Sequence, residues 1–209
     1  MKIATVIPAF NEEQTVGSVV EIVRSVPELA EVIVVCDGCT DDTAKAARQA
    51  GAKVIMLPEN RGKGAAMLIG AAHTSAEVII FVDADLIGLK QKHLLDLVHP
   101  VLVGEADMTV GIFARGRLAT DLAQFIAPYL SGQRAMRKQL LNWIDNMEVA
   151  RYGIEVAITN YARENGWKVK EVELEDLTHI MKEEKLGLIK GLGARMKMYW
   201  EIAKCLTHR

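Results

Sequence analysis

Two carboxylates, one residue apart, follow an apolar run in the first half of the chain. Asp83 and Asp85 come directly after residues 78–82, a run whose composition predicts a buried strand. Both carboxylates would emerge at the carboxyl end of that strand, the edge of an open α/β sheet where ligands bind. Carboxylate oxygens suit a hard divalent cation that keeps positions for phosphate oxygens. The spacing therefore favours a metal–phosphate site, and an acidic turn after a strand is the simpler alternative.

Strands and helices alternate around this pair. Strands are predicted at four apolar runs, residues 2–8, 32–35, 53–57 and 78–82. The first is followed by valines at helical spacing from Val16, and the next two by further helical segments. We expect Asn11 to cap the first helix, with Glu12 and Glu13 in its first turn, where the helix dipole favours negative charge. The alternation predicts an α/β fold with a mostly parallel sheet and helices on both faces.

Four polar motifs lie at the ends of these strands, within the first 115 residues. They are Ile7-Pro8-Ala9-Phe10-Asn11-Glu12-Glu13, Asp37-Gly38-Cys39-Thr40-Asp41-Asp42-Thr43, Asn60-Arg61-Gly62-Lys63-Gly64 and Asp83-Ala84-Asp85. In this order they resemble family 2 glycosyltransferases of the GT-A fold, a Rossmann-like architecture. Cys39 departs from the family pattern, which usually has a small hydroxyl residue there. The resemblance implies transfer of a sugar from a nucleotide-diphosphate donor.

The resemblance also implies which residues hold that donor. The expected donor site comprises Pro8, Ala9, Phe10, Asn11, Glu12, Asp37, Lys63, Asp83 and Ala84. Carboxylates accept hydrogen bonds from ribose hydroxyls and from the imide N–H of a base. The glycines on both sides of Lys63 permit its close approach to base or phosphate. The segment is not a P-loop, because the spacing and the Lys-Ser/Thr ending are missing.

A divalent metal is the expected cofactor. The resemblance implies Mg²⁺ or Mn²⁺, which as a Lewis acid neutralises the charge on the leaving diphosphate. Asp85 is the expected direct ligand and a catalytic residue, with Asp83 contacting ribose or metal. The third ligand would be His179, which follows the strand-like residues 168–174 and resembles the metal-binding histidine of glucosyl-3-phosphoglycerate synthases.

Basic residues gather in the segment expected to bind the acceptor. Between residues 115 and 138 there are five basic residues and one acidic residue. Arginine forks match phosphate or carboxylate oxygens, whereas a solvated helix face is the simpler interpretation. Ser131-Gly132 resembles a loop of glucosyl-3-phosphoglycerate synthases and dolichol-phosphate mannosyltransferases, which take phosphorylated acceptors. Arg117 begins a predicted helical stretch over residues 118–130, and Arg134 and Arg137 follow the loop within one or two helical turns. The expected acceptor residues are Arg117, Ser131, Gly132, Arg134 and Arg137.

A glutamate begins the next predicted helix, which runs from about residue 152 to 165. By resemblance Glu155 faces the reaction centre, where a carboxylate within hydrogen-bond reach could orient or deprotonate the acceptor. Stabilisation of the first helical turn is an equally good explanation of this residue. The Q-x-x-R-W motif of processive polysaccharide synthases is absent.

Composition agrees with one domain of 209 residues. We divide it into a nucleotide-sugar half (1–115), an acceptor half (116–181) and amphipathic C-terminal helices (182–209). The net charge of −2 argues against nucleic-acid binding. Three cysteines, and the lack of a secretion signal or spanning segment, favour the cytoplasm. The basic, amphipathic C-terminal segment suits an anionic membrane surface, but such helices more often pack on their own domain or pair two subunits, so we expect a homodimer or self-packing before peripheral membrane contact.

The function expected from the sequence is metal-dependent transfer of a hexose. Glucose from UDP-glucose is the leading donor by resemblance, and a small phosphorylated molecule such as 3-phosphoglycerate the leading acceptor. An alternative is a polyprenyl phosphate acceptor at the membrane surface. A second alternative is a nucleotide-sugar-binding or nucleotidyl-transferring α/β protein. The latter class starts with a glycine-rich basic loop after the first strand, whereas this chain has Pro8-Ala9-Phe10-Asn11-Glu12 there.

Overall fold

A computed structural model describes residues 1–29, 31–113, 131–143 and 154–179. Its strands are β1 (Ile3–Ala9), β2 (Glu31–Asp37), β3 (Lys53–Leu57), β4 (Val78–Phe81), β5 (Leu86–Ile87), β6 (Met108–Phe113), β7 (Arg134–Arg137), β8 (Val169–Leu174) and β9 (Thr178–His179). Its helices are α1 (Val16–Arg24), α2 (Thr43–Gln49), α3 (Lys63–Ala72), α4 (Gln91–Leu102) and α5 (Ile154–Glu164). Short 3-10 helices lie after α1, at Pro27–Leu29, and after β7, at Lys138–Trp143.

Seven strands form one mixed sheet in the order β3-β2-β1-β4-β7-β6-β8. Only β7 among them runs antiparallel to its neighbours, β4 and β6. The other pairings are parallel, so the predicted mostly parallel α/β sheet is confirmed. Strands β1 and β4 are buried along their whole length, because helices cover both faces.

The core lies in two layers, one on each face of the sheet. On one face α1 and α4 pack through residues such as Val19 and Leu97. On the other face α3 and α5 pack through Met67 and Ile158. Successive strand residues point to opposite faces, which explains the continuous apolar runs in the sequence. Helices α3 and α5 therefore begin on the same face of the sheet.

The predicted cap of the first helix is wrong. Helix α1 begins at Val16, and Asn11 has a left-handed backbone with φ of 56°. Its side-chain oxygen instead accepts a hydrogen bond of 2.9 Å from the backbone N–H of Thr40. Glu13 likewise accepts a bond of 2.9 Å from the N–H of Asp42, outside the helix. The side chains of Asn11 and Glu13 therefore bind the loop after β2 instead of the helix, because the two loops lie side by side.

The segment after Gly132 is a strand, not the expected helical turn. In β7, Arg134 pairs with Phe81 at the carboxyl end of β4, and Arg137 pairs with Val78 at the other end. An antiparallel strand that starts at the ligand edge runs away from it, at about 3.4 Å per residue. The basic residues expected to act together are therefore separated along the strand.

A second sheet of two strands, β5 and β9, connects residues 86–87 with residues 178–179. Strand β8 confirms the predicted strand near residues 168–174, and the chain then turns back through Asp176, whose φ is 57°. A Cβ on Gly88 would lie 2.5 Å from the carbonyl oxygen of Asp176, so the two turns fit closely. The backbone of His179 thereby pairs with Leu86, next to Asp85.

Two expectations concern residues that the structure does not describe. Arg117 lies outside the described ranges, as do the predicted C-terminal helices of 182–209. In the part of the chain that is described, no helix is long and apolar enough to cross a membrane. The single-domain organisation and the homodimer remain predictions.

Candidate functional site

Three neighbouring parallel strands end at one edge of the sheet. Strand β1 lies between β2 and β4, and Ala9 is in register with Cys36 near that edge. The chain leaves β1 at Phe10, β2 ends at Asp37, and Asp83 follows β4 closely. The polar motifs of the sequence thus meet at the edge where open α/β sheets bind ligands.

The carboxylate of Asp37 organises the neighbouring loop. Only 4% of the residue is exposed. One oxygen accepts a 2.7 Å hydrogen bond from the N–H of Arg61, and the other accepts a 2.8 Å bond from Gly62. Gly62 has a φ of 92° and directly precedes Lys63, the first residue of α3. Asp37 therefore fixes the entry to α3.

The loop after β1 forms the other wall of this edge. Pro8 and Ala9 are buried in the strand, whereas Phe10 is 48% exposed. The N–H of Glu12 donates a 2.7 Å hydrogen bond to the hydroxyl of Thr43, at the start of α2. With the Asn11–Thr40 bond, this contact holds the loop against its neighbour. The exposed ring of Phe10 offers an apolar face on which a base can stack.

Lys63 lies between two carboxylates at the centre of the site. Its ammonium nitrogen is 2.5 Å from an oxygen of Asp83 and 2.7 Å from an oxygen of Glu155. Burial alone would lower the pKa of Lys63, but the two carboxylates outweigh it and raise that pKa above its ordinary value. The side chain keeps 33% exposure, so the cluster opens to solvent. A cation and two anions are thus held at the carboxyl edge.

Glu155 reaches this cluster from the first turn of α5. The side chain is about 10% exposed. Its backbone carbonyl accepts a 2.8 Å hydrogen bond from the hydroxyl of Thr159. Because α3 and α5 start on the same face, their first turns bring Lys63 and Glu155 together. The structure therefore brings this glutamate close to Asp83, through their shared partner Lys63.

Gly132 passes directly over the ion pair. A Cβ built on this residue would lie 2.5 Å from both carboxylate oxygens of Asp83, and it would also collide with the ammonium of Lys63. Any larger residue at position 132 would have to displace the Lys63 ammonium or the Asp83 carboxylate. The Ser131-Gly132 loop therefore forms a close backbone wall of the site.

Gln133 is a buried part of the site that the sequence analysis missed. It is 1% exposed, and its amide nitrogen donates a 2.8 Å hydrogen bond to the second oxygen of Asp83. Its amide oxygen accepts a 3.1 Å bond from the hydroxyl of Ser131. The only sequence signal was its position directly after Ser131-Gly132, since its partner Asp83 is far away in the chain.

Arg134 is buried beneath the site rather than open to an acceptor. It has no measurable exposure. One terminal nitrogen donates to the carbonyl of Glu155 at 3.2 Å, and the other to the carbonyl of Ser131 at 2.6 Å. Burial lowers the pKa of Arg134 to about 10, against the attraction of Glu155 and Asp83. The expectation that Arg134 binds the acceptor is therefore wrong, because both of its terminal nitrogens already donate to backbone carbonyls.

Arg137 also departs from the expected acceptor site. It pairs with Val78, at the end of β4 remote from Asp83. Its neighbour Lys138 donates to the carbonyl of Thr74 at 2.5 Å, on the same remote side. Both residues lie at the opposite edge because β7 is antiparallel to β4.

The expected metal ligands come from two segments that the β5–β9 sheet brings together. Asp83 and Asp85 flank the buried Ala84, and the backbone of His179 pairs with Leu86. Within the described ranges, no three acidic, histidine or cysteine side chains already converge as a metal site. The chemistry of the set nevertheless fits Mg²⁺ or Mn²⁺, since both ions take carboxylate oxygens and keep further positions for phosphate.

Two free thiols lie beside the donor loops. Cys36 is buried in β2 with 1% exposure, whereas Cys39 is partly exposed. The thiol of Cys39 donates to the carbonyl of Ala9 at 3.4 Å. A hydrogen bond from Cys36 is the main cause that lowers the pKa of Cys39 to about 7. Cys36 is thus a core residue, but Cys39 also contacts the β1 loop.

Two relatives of known function are similar to this sequence. Glucosyl-3-phosphoglycerate synthase of Mycobacterium tuberculosis is 30% identical over an alignment of 194 positions, and the match covers 75% of this chain and 59% of the relative. The synthase of Petrotoga mobilis is 27% identical over an alignment of 249 positions, and the match covers 100% of this chain and 73% of that protein. The chain thus spans about three fifths of the Mycobacterium relative that it matches.

A solved structure shows the same architecture. The M. tuberculosis synthase, crystallised with Mn²⁺, UDP and glucosyl-3-phosphoglycerate, matches with a TM-score of 0.79 at 27% identity. The match covers 97% of this chain and 79% of that one. The predicted GT-A fold is therefore confirmed.

The family follows from a separate comparison. The sequence profile of Glycosyl transferase family 2 matches residues 5–157, which include the four motifs and the first turn of α5. This is well over half of the 209 residues. The chain therefore belongs to glycosyl transferase family 2.

Proposed function

We propose that this protein transfers a hexose from a nucleotide-diphosphate sugar to a small phosphorylated acceptor, in a metal-dependent reaction. UDP-glucose and 3-phosphoglycerate are the leading donor and acceptor. The observation that carries the proposal is the convergence of Asp83, Lys63 and Glu155 at the carboxyl edge of the sheet. The likeness to glucosyl-3-phosphoglycerate synthases supports the choice of substrates.

The donor would lie across the ends of β1, β2 and β4. Phe10 offers its exposed ring to the base, and Asp37 offers carboxylate lone pairs to ribose or base. Asp83, Asp85 and His179 would hold Mg²⁺ or Mn²⁺, which supplies positive charge to the diphosphate oxygens when bound. The ammonium of Lys63 lies beside the Asp83 carboxylate and adds a fixed positive charge.

The acceptor would approach between the Ser131-Gly132 loop and α5. Glu155 is placed to orient an acceptor hydroxyl or take its proton, since its carboxylate already lies at the cluster. The ammonium of Lys63, 2.7 Å from one oxygen of that carboxylate, holds it at the cluster. Arg134 and Arg137 do not face this space, so Arg117 is the remaining candidate among the expected arginines for the acceptor phosphate.

Two assays test this function. Calorimetric titration with UDP and GDP should give affinity in Mn²⁺ that is lost in EDTA, because Asp83 and Asp85 otherwise repel the diphosphate. Incubation with UDP-glucose and 3-phosphoglycerate should give a product heavier by one hexose. Equal nucleotide affinity in EDTA would contradict the metal role. Transfer to a short polyprenyl phosphate, but not to 3-phosphoglycerate, would instead support the membrane-surface alternative.

A further inference from the structure

Two consecutive buried residues contact the two carboxylate-bearing segments of the site. Gln133 is 1% exposed and Arg134 has no measurable exposure. The amide of Gln133 binds the Asp83 side chain, and the guanidinium of Arg134 binds the backbone of Glu155. Both also bind Ser131, through its hydroxyl and its carbonyl respectively. One short loop thus touches both halves of the candidate site.

We propose that Gln133 and Arg134 are positioning residues with separate tasks. Gln133 sets the orientation of the Asp83 carboxylate and so controls binding of the metal–nucleotide complex. Arg134 sets the first turn of α5 and so controls turnover through Glu155. This inference rests on the proposed function and assigns roles that the motifs do not.

The task of Gln133 follows from how Asp83 is held. Lys63 lies 2.5 Å from one carboxylate oxygen, and the Gln133 amide lies 2.8 Å from the other. Contacts on both oxygens fix the rotation of the carboxylate. An amide donor achieves this without a second full positive charge, which would compete with a metal for Asp83. An apolar side chain at position 133 would leave one oxygen without this partner.

The task of Arg134 follows from its fork geometry. Its two terminal nitrogens reach the carbonyls of Ser131 and Glu155, which belong to separate segments. A guanidinium spans both carbonyls at once, whereas an ammonium on a flexible stem satisfies them less well. The contact is to the Glu155 backbone, so losing it would shift the start of α5 while leaving the Asp83 contacts in place.

The test compares Gln133→Leu with Arg134→Lys in the full chain. The probes are Mn²⁺ with UDP for binding, and UDP-glucose with 3-phosphoglycerate for turnover. Gln133→Leu should weaken Mn²⁺-dependent UDP binding about tenfold or more, as expected for loss of a hydrogen bond to a charged group. Arg134→Lys should keep UDP affinity within about twofold and lower kcat about tenfold. A fall in kcat without a change in binding is expected when the lost contact supports the transition state and not the bound nucleotide.

Gln91→Leu is the matched control for the first variant. Gln91 is exposed, and its amide binds Ser25 far from the site. This variant should match the parent in both assays. Should Arg134→Lys fail to fold, Arg134→Gln keeps one donor for the same carbonyls. Amide hydrogen exchange at residues 154–158 then reports whether α5 is loosened, as the proposal requires.

The outcomes separate positioning from simple structural support. Two variants that only lower the melting temperature, with Kd and kcat unchanged in the folded protein, would overturn the positioning roles. The same pattern of Kd and kcat changes in both variants would overturn the division of tasks. A parent protein that binds no nucleotide in Mn²⁺ would refute the proposed function itself, and this inference with it.

Discussion

The ammonium nitrogen of Lys63 lies 2.7 Å from a carboxylate oxygen of Glu155, which joins the first residue of α3 to the first turn of α5. Both helices pack on the same face of the sheet. Their contact at the carboxyl edge connects the segment after β3 with the segment that follows β7. The proposed donor and acceptor halves thus share one charge centre.

The first prediction concerns this shared cation. Lys63→Met leaves Asp83 and Glu155 without their common partner, and the free energy of unfolding should fall by about 1–3 kcal/mol, less than for a fully buried pair because the cluster is partly exposed. Added Mn²⁺ should restore part of the loss. Urea unfolding in EDTA and in Mn²⁺ measures both effects. Lys45→Met is the control, because Lys45 pairs with the exposed Asp42 at the surface and its loss should give no measurable change.

The second prediction concerns the backbone wall. Gly132→Ala places a methyl group against Asp83 and Lys63, so donor binding in Mn²⁺ should weaken about tenfold or more, equivalent to ~1.4 kcal/mol. The measurement is calorimetric titration with UDP. Gly17→Ala is the matched control, because Gly17 lies in α1 with no atom within 4 Å of its added Cβ. That variant should gain about 0.5–1 kcal/mol of stability. Unchanged affinity in Gly132→Ala would show that the wall lies away from the donor.

The third prediction concerns Asp37, whose carboxylate binds two backbone N–H groups. Asp37→Ala leaves the N–H groups of Arg61 and Gly62 without this acceptor, so stability should fall by about 1–3 kcal/mol even without a nucleotide. Donor affinity should fall as well if the same carboxylate contacts ribose or base. Thermal unfolding and UDP titration report the two effects separately. A loss of stability with full donor affinity would limit Asp37 to its role in the loop.

The fourth prediction concerns pH and the thiol of Cys39. Its pKa is lowered from 9.0 to about 7, so the reactive thiolate should form as pH rises through 7 rather than through 9. The rate of alkylation by iodoacetamide should therefore level off above about pH 8. Peptide mapping by mass spectrometry follows Cys39, with the buried Cys36 as an unreactive reference. A rate that still rises steeply at pH 9 would exclude the lowered pKa.

The fifth prediction separates the arginines near the acceptor loop. If Arg117 binds the acceptor phosphate, Arg117→Ala should raise the KM for 3-phosphoglycerate about tenfold or more, with UDP affinity unchanged. Arg137→Ala should leave that KM unchanged, because Arg137 lies at the opposite edge of the sheet. Steady-state kinetics decide between them. An equal rise in KM for both variants would contradict the placement of the acceptor.

Sequence patterns predicted β1, β2, β3 and β4 correctly, because each is an apolar run that ends near polar residues. They also predicted β8, but they missed its parallel neighbour β6. They failed at β7, because an arginine is expected at the surface. Arg134 is instead buried, and its guanidinium donates hydrogen bonds to the carbonyls of Glu155 and Ser131. They also failed at Asn11, where a neighbouring loop takes the side chain away from the helix. The role of Gln133 could not be predicted, because its amide binds Asp83, which is far away in the sequence and adjacent only in the folded protein.

The β5–β9 sheet affects how this protein can be shortened. The match to the family profile stops at residue 157, inside α5 and before β8 and β9. A chain cut at that point would lose the strand that pairs with β6 and the strand that pairs with β5. It would retain Asp83 and Asp85 yet lack His179, and Gly88 would no longer contact the Asp176 carbonyl. The segment that matches the family profile therefore ends before β8 and β9, the strands that complete the two sheets.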